Sequence, residues 1–494
     1  MLRACPTRWL VALAFAGTLA ASMAEAQPIP AEIPLATDAP LPAASAQQHV
    51  RIGTQTIAYR ASWFESVLKS ADGVALATIS ATSYVRDGVS DPALRPVVFL
   101  FNGGPGASSS PLHFSAVGPR RLGERDASGA RPLVENEESL LDSADLVFVD
   151  PVGTGFSRPL RPGGGKPYWT PQGDAASVLG LIRDWLRANG RLGSPLYVAG
   201  ESYGGYRLAT MAKDMGDLHV AGLILLSPAL DMDMGEDQAA VDALPTMAVA
   251  ACEHRKVRCS GRNVAAVWEA ARRFAQQDYV VALQQGSALP AAQKRRIAQR
   301  IASLVGLPAD VVATADLRVD TQKFLEALVP GQVVGRLDVR VTAPIPAKAA
   351  NPSRPAAAND PSLGLGRTNV ILSKPIGDYL RDTLKVATAR DYYSLSLDVN
   401  FSWDWRGETA GPGGTPSPAS NFTTLMRQRP AMRILLLGGY YDLAVPILAP
   451  RYTLAHSGVP LDRVRMVALE AGHSPFDGDS TRGQASQLVH DFVK

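Results

Sequence analysis

The sequence predicts an α/β protein in which a mostly parallel central sheet carries helices on both faces and an inserted, mainly helical cap. Three observations lead to this prediction. Short apolar runs alternate with helical stretches along much of the chain, and each run is followed at once by Asn, Gly, Asp, Glu or Ser. Between 231 and 429 the pattern changes to longer helical stretches and Pro-rich pieces. Functional groups at the carboxyl ends of strands are typical of open α/β sheets, which bind ligands there.

Six apolar runs are predicted to form buried parallel strands because they are short, continuous and bounded by turn residues. They are Val97–Phe101, Leu146–Val149, Leu196–Ala199, Leu223–Leu226, Ile434–Leu437 and Met466–Leu469.

These runs divide the chain into parts. We expect a core in two pieces, 49–230 and 430–494, with a flexible segment at 27–48 before it. The helical stretches 263–285 and 292–304 fall in the insertion 231–429, which we interpret as a cap over the site, because insertions at sheet ends commonly become lids. The alternative is an independent domain joined by linkers.

Composition restricts the class of protein. The chain has 494 residues, of which 46% are hydrophobic and 19% charged, and its formal net charge is +3. These fractions are those of a soluble globular protein. Because the net charge is small and no stripe of Lys and Arg appears along the chain, we expect no nucleic-acid partner.

The first 26 residues have the pattern of a signal peptide. Arg3 and Arg8 precede an apolar stretch from Trp9 to about Ala21, and Ala24-Glu25-Ala26 has the small-x-small form of a cleavage site. We therefore expect an exported protein, periplasmic or extracellular, with no stable membrane span after signal cleavage. The alternative is an uncleaved anchor, which the short, Ala-rich run disfavours.

Two cysteines remain after the leader and its Cys5 are removed. Cys252 and Cys259 are predicted to form a disulfide in an oxidising compartment, the alternative being two free thiols. His254 has no further ligand at metal-binding spacing, so no metal and no cofactor are expected.

The motif Gly200-Glu201-Ser202-Tyr203-Gly204 has the context of a nucleophile elbow. It follows the run Leu196–Ala199 and precedes a helical stretch from Tyr206 to about Met215. Such a turn lifts a serine hydroxyl out of the sheet in the α/β-hydrolase fold. Ser202 is the predicted nucleophile.

A serine hydroxyl needs a base, and in this fold the base is a later His preceded by an acid. Of the seven histidines, only His473 lies in a loop directly after a late strand pattern. Asp442 follows the run Ile434–Leu437. The order Ser, Asp, His, with each residue after a β pattern, predicts a catalytic triad in which Asp442 orients His473.

Acyl transfer also needs hydrogen-bond donors for the developing oxyanion. The stretch Asn102–Ser109, which reads Asn-Gly-Gly-Pro-Gly-Ala-Ser-Ser, follows the run Val97–Phe101 where the fold requires a Gly-rich loop. The N–H groups of this loop and of Tyr203 are the expected donors.

These stretches resemble the serine carboxypeptidase family, and the leader suggests a bacterial-type, exported member. The matching residues are Asn102–Ser109, Asp150–Ser157, Gly200–Gly205, Asp442–Pro446 and Gly472-His473. The resemblance implies removal of a C-terminal residue from peptides with a free C-terminus through a Ser202 acyl-enzyme. It also implies an oxyanion hole formed by Gly104 and Tyr203, and a site for the substrate's terminal carboxylate formed by Asn102, Gly103 and Glu201.

One departure from the family pattern bears on specificity. The family often has a second Glu shortly after the Gly-rich loop, and this chain has Ala116 there. An esterase or acyltransferase of the same fold is therefore the alternative function. A non-catalytic protein that binds ligands in the same pocket is a remoter alternative.

Overall fold

The computed structural model describes residues 33–125, 131–259, 263–345, 360–365, 368–406 and 417–494. The predicted signal peptide lies outside these residues. Strands β1 to β15 are, in chain order, Ala44–Ile52, Gln55–Lys69, Ala75–Arg86, Val97–Phe101, Arg120–Leu122, Leu133–Glu135, Asp145–Asp150, Leu196–Glu201, Val220–Leu226, Gln332–Val334, Thr342–Pro344, Val370–Leu372, Tyr393–Ser396, Arg433–Gly439 and Val464–Leu469.

Nine of these strands form one sheet in the order β1-β2-β3-β7-β4-β8-β9-β14-β15. From β7 to β15 every neighbouring pair is parallel. Their carboxyl ends therefore lie on one edge, and that edge carries Asn102, Ser202, Asp442 and His473.

The sheet is apolar on both faces, as a covered parallel sheet must be. In β4, Val97, Phe99 and Phe101 belong to one buried cluster and Val98 and Leu100 to another. Because successive side chains of a strand point to opposite faces, this continuous apolar run supplies both cores.

Helices cover the two faces. Helices α1 to α13 are Pro171–Ala188, Tyr203–Ala212, Glu236–Glu253, Val264–Phe274, Val280–Gln285, Ala291–Val305, Ala309–Thr314, Thr321–Ala327, Lys374–Asp378, Leu397–Phe401, Ser420–Gln428, Leu448–His456 and Asp479–Val493. Helix α1 begins where expected from its sequence, since the Thr170 side chain accepts from the Gly173 N–H and Pro171 occupies the first turn. The mostly parallel sheet between helices confirms the predicted α/β class.

The segment between β9 and β14 is mainly helical and packs on the core. The predicted helical stretch 263–285 consists of α4, a π-helical turn at Ala275–Tyr279, and α5. Val241, Trp268 and Ile301 from this segment belong to the same buried cluster as Phe99 of the central sheet. Two short antiparallel ribbons, β10-β11 and β12-β13, complete it.

The amino-terminal boundary corrects the sequence prediction. Strand β1 begins at Ala44, before the expected start of the core at 49, and Ile33 and Leu41 are buried. In β1 half-buried and exposed positions alternate among mostly small and polar residues, and Val50 is its one fully buried residue, so no apolar run marks the strand. Its pairing with β2 makes it part of the sheet, and β1, β2 and β3 form an antiparallel edge.

We expect the Asp145→Asn substitution to lower the free energy of unfolding by about 3 kcal/mol or more. Asp145 is buried at the start of β7 and forms ion pairs with Arg95 and Arg191, both largely buried. Removing the carboxylate leaves two guanidinium groups in the interior without a counter-charge. Denaturant unfolding of the variant and the wild type measures the difference.

The matched control is Asp184→Asn, because Asp184 forms an exposed ion pair with Arg187. Exposed pairs contribute little to stability, so this variant should unfold close to the wild type. Equal stability of the two variants would contradict a structural role for the Asp145 cluster.

Candidate active site

Ser202 lies on the sharp turn between β8 and α2. Its φ is 59° and its ψ is −127°, a backbone conformation that residues with side chains rarely adopt. Its N–H donates to Leu226 O at 2.9 Å, and its carbonyl accepts from Gly205 N at 2.9 Å and from Ala229 N at 3.0 Å. These three hydrogen bonds hold the turn, and the serine side chain remains partly exposed.

Asp442 and His473 meet at the same edge of the sheet. His473 Nδ1 lies 2.8 Å from Asp442 Oδ2, and the Asp442 side chain is fully buried. Asp442 Oδ1 accepts from the N–H groups of Ala444 at 2.9 Å and Val445 at 3.0 Å. With both oxygens engaged, the carboxylate fixes the imidazole with Nε2 as its free nitrogen.

The charge around His473 favours its protonated form. Burial lowers the pKa of His473, but the adjacent Asp442 carboxylate outweighs burial, and Glu201 and Asp477 add to its effect, so the pKa rises to about 9. Within the described residues no hydrogen bond joins Ser202 Oγ to His473. Bonds of this kind commonly tighten only when a substrate is bound.

The Gly-rich loop after β4 lies directly over the start of α2. A Cβ atom at Gly103 would lie 2.4 Å from Tyr203 N and 2.8 Å from Gly204 N, so only glycine allows this approach. Gly104 has a φ of +100°, which residues with side chains rarely adopt. Within the described residues neither the Gly104 N–H nor the Tyr203 N–H donates to another protein group, so both can donate to an oxyanion.

Asn102 and Glu201 lie side by side at this edge and are both buried. Asn102 Nδ2 donates to Glu201 Oε1 at 2.6 Å, and Ser474 Oγ donates to Oε2 at 3.4 Å. Burial raises the pKa of Glu201 to about 7, against the opposing effects of His473 and these hydrogen bonds. A carboxyl group with this pKa is protonated in a large fraction of molecules near neutral pH and can then donate a hydrogen bond.

Ala116 brings no carboxyl group to the segment that follows the Gly-rich loop. It lies buried in the π-helical turn Leu112–Val117, which remains attached to the site because the Leu112 N–H donates to Asn102 Oδ1 at 3.2 Å. The place where the family often has a second Glu is therefore apolar here.

A buried ion pair that the sequence analysis missed lies behind both proposed oxyanion donors. Arg207 on α2 and Asp174 on α1 are 1% and 2% exposed, and Arg207 Nε donates to Asp174 Oδ2 at 2.6 Å. Arg207 also donates to Asn102 O at 2.7 Å, and Tyr203 Oη donates to Asp174 Oδ2 at 3.2 Å. One ion pair thus connects the Gly-rich loop to the residue after the nucleophile. Arg207 stands among the mostly small and apolar residues of α2, and this position is the sequence signal that could have indicated a buried ion pair.

Backbone contacts attach the segment 231–429 to the loops of the site. His473 N donates to Leu337 O at 2.7 Å, and Ser396 N donates to Gly106 O at 2.8 Å. Asp150 accepts from Ser109 Oγ at 2.7 Å and from Tyr392 Oη at 2.9 Å. Residues from two parts of this segment, around Leu337 and around Tyr392–Ser396, therefore contact loops that carry predicted site residues.

Cys252 and Cys259 form a disulfide in the structure. Among the described residues, no group of three or more His, Cys, Asp or Glu side chains is placed to hold a metal ion. Within the same residues, no helix combines the length and apolar composition needed to cross a membrane.

Residues 84–220 match the model of the serine carboxypeptidase family. Serine carboxypeptidase-like 36 of Arabidopsis thaliana is 32% identical over 153 residues, which cover 29% of this chain and 30% of that protein. Pheromone-processing carboxypeptidase kex1 of Aspergillus niger is 36% identical over 122 residues, which cover 24% of this chain and 18% of that protein. These relatives are thus matched over about a third of their length or less. The similarity supports the resemblance to this family for the part of the chain that holds Asn102, Glu201 and Ser202.

A solved structure extends the comparison to the whole fold. The crystal structure of Kex1(delta)p, a prohormone-processing carboxypeptidase from Saccharomyces cerevisiae, superposes with a TM-score of 0.52 at 16% identity, covering 87% of this chain and 91% of that chain. This likeness confirms the α/β-hydrolase fold.

We expect the Arg207→Met substitution to slow the covalent labelling of Ser202 by a fluorophosphonate by roughly tenfold or more, because the oxyanion donors are no longer held in place. Labelling rates at several reagent concentrations separate reactivity from binding.

The double variant Asp174→Leu/Arg207→Met separates positioning from stability. Removing both charges leaves no unpaired ion in the interior, so thermal stability should recover relative to Arg207→Met while labelling stays slow. Labelling of the double variant at the wild-type rate would contradict the positioning role.

Proposed function

We propose that the protein is a serine carboxypeptidase that removes C-terminal residues from peptides through an acyl-enzyme on Ser202. The observation that carries this proposal is the buried Glu201 carboxyl, hydrogen bonded to Asn102 and adjacent in sequence to Ser202. A serine hydrolase acting on neutral esters has no need of a protonatable carboxyl group beside its nucleophile. A protonated Glu201 can donate a hydrogen bond to the terminal carboxylate of a peptide substrate.

Each residue of the proposed triad has a defined task. Ser202 Oγ attacks the scissile carbonyl carbon while His473 Nε2 takes its proton, and Asp442 keeps the imidazole oriented through Nδ1. The N–H groups of Gly104 and Tyr203 receive the negative charge on the carbonyl oxygen. His473 then returns the proton to the leaving amine, and water cleaves the acyl-enzyme by the same steps.

Asn102, Gly103 and Glu201 are proposed to hold the substrate's terminal carboxylate. Glu201 must be protonated to donate to it, and His473 must be neutral to act as a base. Transfer of a proton from His473 to Glu201 produces both required forms without changing the net charge of the pair. The raised pKa values of both residues are consistent with such a coupled pair.

We propose that 231–429 is a cap, supported by the contacts of Leu337, Tyr392 and Ser396 with loops of the site. The leader at 1–26 supports export to the periplasm or the extracellular space, and a bacterial-type family member.

The second candidate is an esterase or acyltransferase of the same fold. Ala116 favours it, because it removes one of the two carboxyl groups that the family often uses. Hydrolysis of simple esters without hydrolysis of peptides having a free C-terminus would support this alternative.

Ser202→Ala should lower kcat for a blocked dipeptide by about 10⁴-fold or more without changing thermal stability, since the nucleophile is lost. His473→Ala should have a similar effect, and Asp442→Asn a smaller one. Ser303→Ala is the matched control, because Ser303 lies exposed on α6. Near wild-type turnover by Ser202→Ala would exclude this serine as the nucleophile.

The preference for a free C-terminal acid over the corresponding amide should be strong below a pH of about 7 and should fall as the pH rises above it. Burial raises the pKa of Glu201 to about 7, so the donor is protonated below that pH and becomes an anion that repels the substrate carboxylate above it. The ratio of kcat/KM for the two substrates between pH 5 and 9 measures this, because the titration of His473 affects both substrates alike.

Glu201→Gln provides the control for the assignment. Glutamine remains a neutral donor at every pH, so the ratio should no longer change with pH, whatever the overall loss of activity. A flat ratio in the wild type would contradict the role of Glu201.

A further inference from the structure

A cavity of about 270 Å³ opens between the loops that follow β9 and β14. Pro228–Leu230 form one wall and Leu443–Pro446 form another. Ala229 N donates to Ser202 O at 3.0 Å, and Val445 N donates to Asp442 Oδ1 at 3.0 Å. The cavity therefore shares its walls with the backbone that supports the proposed nucleophile and acid.

A single carboxyl group inside this cavity lacks a full set of partners. Asp242 on α3 is 2% exposed, and its Oδ1 accepts from Gln238 Nε2 at 2.9 Å. Its buried Oδ2 has no hydrogen-bond partner among the described residues. Burial also raises the pKa of Asp242 to about 7. Because an unsatisfied buried oxygen is costly, a ligand with a donor or a positive charge is its natural partner.

The surroundings of Asp242 suit an alkyl chain that ends in a cation. The cavity walls include the apolar side chains of Leu230, Met234, Leu443 and Val445. Asp231 and Arg336 are the other charged residues that line it, and Arg336 forms no ion pair with Asp242 within the described residues. An aliphatic stem could contact these walls while its terminal ammonium reaches Asp242.

The position of the cavity decides which part of a peptide enters it. Asn102 follows β4 and Glu201 is the last residue of β8, whereas the cavity lies at the ends of β9 and β14 on the other side of Ser202. If Asn102 and Glu201 hold the terminal carboxylate, the C-terminal residue that is released lies on the β4 side of Ser202. The residue that supplies the scissile carbonyl then extends its side chain toward the cavity.

We infer that the cavity is a specificity site for a lysine-like cationic side chain on the penultimate residue of the substrate, with Asp242 as its counter-charge. This inference rests on the proposed carboxypeptidase function, which it deepens by naming the class of peptide.

Three blocked dipeptides with the same C-terminal residue and lysine, norleucine or glutamate before it test the inference. Norleucine has the stem of lysine without its charge, so the wild-type kcat/KM should be about tenfold or more higher for lysine than for norleucine. Glutamate should be the poorest substrate. Equal or better hydrolysis of the norleucine peptide would overturn the inference without affecting the proposed function.

Asp242→Asn should reduce the lysine-to-norleucine ratio to near one while retaining hydrolysis of the norleucine peptide. Glu236→Gln, an exposed position on the same helix, is the matched control and should keep the wild-type ratio. An unchanged ratio in Asp242→Asn would overturn the role of Asp242. Should this variant fail to fold, the wild-type ranking alone decides.

If none of the three dipeptides is hydrolysed, the proposed carboxypeptidase function is wrong. Nitrophenyl esters of blocked lysine and norleucine then still test whether the cavity binds a cationic side chain. A tenfold preference for the lysine ester would support the cation site in an esterase. Equal hydrolysis of the two esters would overturn the proposed cation site at Asp242.

Discussion

The backbone of Ser202, with a φ of 59° and a ψ of −127°, occupies a region that side-chain-bearing residues rarely adopt, and the rest of the site depends on that turn. It points the hydroxyl away from the sheet and begins α2 at Tyr203, so the Tyr203 N–H lies beneath the Gly-rich loop. Hydrogen bonds with the end of β9, the first turn of α2 and the loop after β9 hold the turn, and the Asp174–Arg207 ion pair connects α2 to Asn102 O. The strained residue is therefore supported from several elements at once, as its conformation requires.

Around this turn the carboxyl groups of Glu201 and Asp442 lie close to the imidazole of His473. Asp442 is tied down by backbone N–H groups and acts on His473, whereas Glu201 is buried beside an amide and has a pKa near neutrality. The two acids thus have different environments and suit different tasks: Asp442 orients the imidazole of His473, and Glu201 can donate a hydrogen bond when it is protonated. Position 116 holds Ala, so within the proposed function recognition of the substrate carboxylate depends on the protonation of Glu201, which accepts a hydrogen bond from Asn102.

The parts that the sequence predicts well are those with local signals. The six parallel strands are continuous apolar runs, and Ser202, Asp442 and His473 follow three of them directly, so topology alone brings them to one edge. The edge strand β1 was missed because its small and polar residues make no apolar run. Arg207 and Asp174 are 33 residues apart, and their pairing depends on how α1 packs on α2. Asp242 is similar: only the folded chain shows that its carboxyl is buried in a cavity and incompletely satisfied.

Trapping the acyl-enzyme shows directly whether Ser202 is the nucleophile. Acid quenching during turnover of a blocked amino-acid ester, followed by peptide mapping by mass spectrometry, should reveal the acyl group on the peptide that contains Ser202. The His473→Ala variant should form this adduct much more slowly in samples quenched at short times, because the serine is not activated. Turnover with no adduct on Ser202, or an adduct on another residue, would exclude Ser202 as the nucleophile.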